Sequence, residues 1–93
     1  MKATKEELIR FLEDKVLVPV ENHPKATATI KKKIHGTRMR LNEQVSAEKV
    51  EQFYYTAMST ERGKDSYQKI KDIGGPTFED VVDEFKKLCG REY

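Results

Sequence analysis

The fold class of this chain depends on residues 24–42, PKATATIKKKIHGTRMRLN. Four apolar residues in and just after this stretch have the spacing of one helix face that is interrupted once; they are Ile30, Ile34, Leu41 and Val45. A glycine inside a helix costs about 1 kcal/mol relative to alanine, which a helix of this length tolerates. The spacing therefore predicts a helix, in which Gly36 marks a kink or a close helix crossing.

The same residues also alternate between apolar and polar, so a β-hairpin is the competing interpretation. Such a hairpin would span residues 26–41 and turn at His35 and Gly36. However, His-Gly is not among the favoured two-residue turns, and Ala26 and Ala28 suit a strand poorly. We therefore predict a helix and keep an α+β fold with a hairpin at 26–41 as the alternative.

The N-terminal part of the chain predicts a first helix from about Lys5 to Leu17. Thr4 and Glu7 have the spacing of a capping box, and apolar residues recur at helical spacing after them. Proline disfavours helical geometry at the residue before it. We therefore expect Pro19 to end the helix and residues 18–21 to form an extended connector.

Start and stop signals divide the rest of the chain into four further helices. Asn22 or His23 caps the second, which covers the stretch quoted above. Ser46 caps the third, whose apolar positions follow the full pattern of a core-facing helix; they are Val50, Phe53, Tyr54, Ala57 and Met58. The fourth runs from Thr60 to the glycines at 74 and 75, and the last opens at Thr77.

These elements predict an all-α fold: a compact bundle of about five short helices in a single domain over residues 1–93. A chain of this length buries one core without disulfides. Its single cysteine, Cys89, is expected to be a small buried hydrophobe and fits a reducing cytoplasm. No apolar run is long enough for a signal peptide or a membrane span. We therefore expect a complete, cytoplasmic chain.

No group of residues has the spacing of a catalytic or metal site. The two histidines, His23 and His35, are twelve residues apart, which would place them about 120° out of register on one helix. The adjacent carboxylates fall on predicted exposed helix faces among lysines, where their pKa values have no reason to shift. We therefore expect no cofactor and no enzymatic activity.

Charge is distributed unevenly along the sequence. Residues 24–42 contain six cations and no carboxylate, whereas the rest of the chain has 18 − 6 = 12 cations against 16 carboxylates, a net charge of −4. A basic helix face of this kind binds the phosphates of nucleic acid or an acidic protein surface, or is simply solvated. The candidate nucleic-acid contacts are Lys25, Lys31, Lys32, Lys33, Arg38 and Arg40.

Several aromatic and methionine residues lie outside the main apolar stripes of their helices. Such residues are candidates for a protein interface or a homodimer contact; they are Phe11, Met39, Tyr55 and Tyr93. The leading hypothesis is a small binding domain that contacts nucleic-acid phosphates without reading base sequence. The alternative is a protein-interaction or homo-oligomerisation module whose basic face is only solvated.

Overall fold

The computed structural model describes residues 2–90, and every regular element in this range is helical. The elements are α1 (Lys5–Leu12), a π-helical segment (Glu13–Leu17), α2 (Val18–Glu21), α3 (Ala28–Glu43), α4 (Ala47–Ser59), α5 (Glu61–Asp72), a 3₁₀ turn (Glu79–Val81) and α6 (Val82–Leu88). Because α1, the π-helical segment and α2 follow one another without a break, residues 2–90 form five helical rods. The all-α prediction is confirmed.

Residues 28–43 form the helix α3, so the hairpin alternative is wrong. The helix begins later than the sequence indicated. Thr27 is its N-cap, and the Thr27 hydroxyl accepts a hydrogen bond from the backbone N–H of Ile30 at 3.2 Å. The residues before it form a turn in which His23 Nδ1 accepts from the N–H of Lys25. A cap at Asn22 or His23 was therefore a wrong prediction.

The first helix does not end at Pro19, which corrects the prediction of an extended connector. The π-helical segment ends at Leu17, two residues before the proline, and the N–H of Val18 donates to the carbonyl of Glu13, five residues back. In an α-helix the proline ring would clash with the carbonyl four residues before it, and the wider π turn gives that ring room. The helix therefore continues to Glu21 and buries Val20 completely.

The corner between α4 and α5 is tight, and Gly63 is the residue that permits it. Thr60 caps α5, because its hydroxyl accepts from the N–H of Gly63 at 3.1 Å. A Cβ atom at position 63 would lie 1.6 Å from the carbonyl oxygen of Ala57, closer than any real contact. The close approach of the two helices therefore requires a residue without a side chain.

The predicted stop after α5 is confirmed as a Schellman motif. Gly74 has φ +83°, the N–H of Gly74 donates to the carbonyl of Lys71, and the N–H of Gly75 donates to the carbonyl of Ile70. The last helix begins with a 3₁₀ turn at Glu79, two residues later than the predicted start at Thr77. Asp80 accepts hydrogen bonds from both the N–H and the hydroxyl of Thr77.

Tyr54 lies at the centre of the core. Its ring is fully buried and stacks on Phe85 at a centroid distance of 3.9 Å and on Phe78 at 4.9 Å. The hydroxyl donates to the carbonyl of Phe78, and burial raises the pKa of Tyr54 above its ordinary value of 10.0. Cys89 is buried beside this cluster, as the sequence indicated.

Candidate functional site

A cleft of about 740 Å³ opens between α3 on one side and α4 and α5 on the other. Its floor combines buried aliphatic residues of the core, such as Ile34 and Ile70, with half-buried residues of α4 and α5, namely Phe53, Met58 and Tyr67. We call it the basic cleft because of the charges around it.

Five cationic side chains line the basic cleft, against one carboxylate, Glu79, among the described residues. The cations are Lys32, Lys33, Arg40, Arg62 and Lys64. None of the five forms an ion pair with a residue in the described range 2–90. Lys33 Nζ lies 3.4 Å from the hydroxyl oxygen of Ser66 and thereby connects α3 to α5. The cleft therefore has a positive rim whose cations form no ion pair with any carboxylate among residues 2–90.

Helix α3 divides its basic residues between two sides. Successive residues of an α-helix are turned by about 100°, so Arg38 and Arg40 point about 160° apart around the axis. Arg40 lines the basic cleft together with Lys32 and Lys33, whereas Arg38 lies on the opposite side, against the first helix. Half of the six predicted contacts are therefore in the cleft.

Arg38 is held by two carboxylates. Its guanidinium donates two hydrogen bonds of 2.7 Å to Glu13 and bonds of 2.8 and 3.2 Å to Glu21. This interaction holds the pKa of Glu21 below its ordinary value of 4.5. Glu13 is the first residue of the π-helical segment and Glu21 the last residue of α2, so Arg38 bridges both sides of Pro19. We call this group the arginine clamp.

The two remaining predicted contacts, Lys25 and Lys31, are exposed but do not line the basic cleft. Lys25 lies in the loop before α3. Lys31 is on the same side of the helix as the arginine clamp, close enough for its charge to help lower the pKa of Glu21. The structure therefore does not gather the six predicted residues into one surface.

The six contacts predicted from the sequence do not include Arg62 and Lys64, the two cleft cations contributed by α5. In the sequence, the lysines of this helix are interspersed with Asp65 and Asp72, so that its charges look mutually compensated. The structure shows that Asp65 pairs with Lys69, at 3.3 Å, rather than with Lys64. A sequence signal did exist, because carboxylates pair preferentially with a lysine four residues further along a helix, and that spacing selects Lys69.

Gly36 lies on the wall of the basic cleft and leaves space there. A Cβ atom at position 36 would have no other atom within 4 Å. The glycine therefore does not mark a close helix crossing, which the sequence had suggested as one explanation. A side chain introduced at position 36 would therefore extend into the cleft, and its Cβ atom would not clash with other residues.

Two of the predicted interface residues pack against the core instead of projecting into solvent. Phe11 and Tyr55 are half-buried, and each ring lies 6.3 Å from that of Phe85. Met39 is 51% exposed and is the one member of the set within residues 2–90 that projects into solvent. Tyr93 lies outside the described residues. The three described residues therefore do not form one exposed apolar patch.

No three His, Cys, Asp or Glu side chains within residues 2–90 are grouped so that they could hold a metal ion. In the same range, no helix combines the length and apolar character needed to cross a membrane. Comparison of the chain with protein-family models, curated proteins and solved structures finds no significant match. The basic cleft is therefore the feature from which a function can be inferred.

Proposed function

We propose that this protein is a non-enzymatic domain that binds nucleic acid through the basic cleft. The observation that carries the proposal is the set of five cations around a concave surface, none of them paired with a described carboxylate. Phosphate groups are the most abundant anions that a row of lysines and arginines recognises, and they contribute most of the affinity in nucleic-acid complexes.

Hydroxyl groups among the cations support the same function. Thr29, Thr37, Thr56 and Ser66 line the basic cleft with the lysines and arginines. Hydroxyl side chains commonly donate hydrogen bonds to phosphate and sugar oxygens. The combination favours contact with the nucleic-acid backbone, because cations and hydroxyl groups together bind phosphate and sugar oxygens, which carry no sequence information.

The test is a titration of the purified protein against labelled nucleic acids at about 50 and about 200 mM salt. Each neutralised phosphate of a single strand contributes about −0.7 to the slope of log K against log salt. Four or five cleft contacts therefore predict a slope of roughly −3. Absence of binding even at the lower salt would refute the proposal.

Two double variants, each of which removes two positive charges, test where the nucleic acid binds. Lys32→Gln with Arg40→Gln removes two cleft cations, while Lys25→Gln with Lys31→Gln removes two exposed cations outside the cleft. We expect the cleft variant to weaken binding and to reduce the salt slope by about 1.4, and the control variant to change it little. Equal losses in both variants would mean that binding follows overall charge and does not use the cleft.

An acidic protein partner is the second candidate, because aliphatic residues such as Met58 and Ile70 form much of the cleft floor. An amphipathic helix with apolar and acidic side chains would match that floor and the positive rim. The same cleft variants would then weaken binding to acidic polypeptides, and nucleic acid would show no affinity.

A further inference from the structure

We infer that the basic cleft selects single-stranded nucleic acid, with at least one base inserted between α3 and α5. This inference rests on the proposed function and adds the class of ligand. It starts from the shape of the site: the cations surround a concave space of about 740 Å³ rather than a flat or convex face. A duplex keeps its bases stacked inside, whereas an unpaired base is free to enter a cavity.

The floor of the cleft has the chemistry that an unpaired base requires. Three aromatic residues, Phe53, Tyr67 and Phe78, are half-buried and line the cleft. Lys71 Nζ lies 5.7 Å from the centre of the Tyr67 ring and supports the position of that ring. Stacking on aromatic side chains is the main way in which proteins hold unpaired bases without regard to sequence.

The rim supplies the complementary contacts for the backbone. Lys32 and Arg40 lie on α3, and Arg62 and Lys64 lie on α5, so cations flank the aromatic floor from both sides. A strand whose base enters the cleft therefore finds cations for the phosphates on either side of that base. Lys33, held by Ser66 at 3.4 Å, is the cation positioned where α3 and α5 are joined.

The first experiment compares three probes of about 12 nucleotides, a length suited to a small single-strand site. They are a thymidine strand, an abasic strand with the same phosphates, and a duplex. We expect the thymidine strand to bind at least about fivefold more tightly than the abasic strand, which is the low end of the effect of one stacked base. Equal affinity for both would overturn the inference and leave phosphate binding, the proposed function, intact.

A second experiment blocks the cleft without changing its charge. Gly36→Phe places an aromatic side chain where a Cβ meets no atom within 4 Å, and Gly36→Ala is the matched control. We expect Gly36→Phe to reduce thymidine affinity to the abasic level and Gly36→Ala to retain the affinity. Retained thymidine affinity in a folded Gly36→Phe protein would also overturn the inference, because the bases would then bind elsewhere.

The remaining outcomes are distinguishable as well. If none of the three probes binds, the proposed function and this inference fail together. If polyglutamate binds instead, and Gly36→Phe abolishes that binding, the occupant of the cleft is an acidic polypeptide. A duplex that binds more tightly than the thymidine strand would overturn the inference alone, because phosphates would then be bound without insertion of a base.

Discussion

Replacement of Arg38 by glutamine tests whether this residue serves the fold rather than a ligand. The substitution removes four hydrogen bonds of 2.7–3.2 Å to Glu13 and Glu21. The side chains of all three residues are a quarter to a third exposed. A fully exposed ion pair contributes about 0.2–1 kcal/mol, and breaking a buried one costs about 3–5 kcal/mol. We therefore expect the arginine clamp to contribute about 2 kcal/mol, a value between these limits.

In a domain of this size, 1 kcal/mol changes the melting temperature by about 4–8 °C. We therefore expect Arg38→Gln to lower the melting temperature by roughly 8–16 °C, measured by circular dichroism at neutral pH and low salt. Arg40→Gln is the matched control, since Arg40 has no ion pair within residues 2–90. We expect the control to change stability by less than about 0.5 kcal/mol.

The effect of Arg38→Gln also depends on pH. The folded-state pKa of Glu21 lies below its ordinary value of 4.5 because Arg38 donates to the carboxylate. The stabilisation is therefore fully present above about pH 4.5 and is lost as the pH falls through the lowered pKa. The difference in melting temperature between wild type and variant should shrink in acid. A variant as stable as wild type at pH 7, or a difference that does not shrink as the pH falls below 4.5, would refute the reasoning.

Two further predictions concern the core and the α4–α5 corner. Gly63→Ala should destabilise the protein by about 1–3 kcal/mol, because the new Cβ would meet the carbonyl of Ala57. Gly36→Ala should stabilise it by up to about 1 kcal/mol. Urea denaturation measures the unfolding free energy of both variants, and equal changes in it would contradict the packing argument. The pKa of Tyr54 is raised in the folded protein, so the unfolding free energy should fall as the pH rises above 10. This decrease should be smaller in Tyr54→Phe. Identical decreases in wild type and variant between about pH 8 and about pH 11 would refute this assignment.

The helices themselves could be predicted from the sequence because their signals are local. The capping box of Thr4 and Glu7 forms as expected, Ser46 caps α4 as predicted, and α5 begins directly after Thr60, where the sequence placed its start. A cap acts over three residues and an apolar face repeats within four, so both are visible without knowledge of the fold. The same local information favoured a helix over a hairpin for residues 28–43.

Predictions from local sequence were wrong where contacts between residues far apart in the sequence determined the local structure. The preference against helix before Pro19 is real, but burial of Val20 and the bridge from Arg38 to both sides of the proline favour a continuous helix. The sequence shows that Arg38 is a cation but does not show its partners, which are 25 and 17 residues away.

The sequence alone determined the fold class, most helix ends and the concentration of positive charge in residues 24–42. Tertiary structure decided which cations share a surface. The tight turn at Gly63 brings α5 beside α3, and this places Arg62 and Lys64 across the cleft from Arg40. The opposite orientation of Arg38 removes it from that surface. Both outcomes depend on how the helices pack, and packing joins residues that no periodicity along the chain relates.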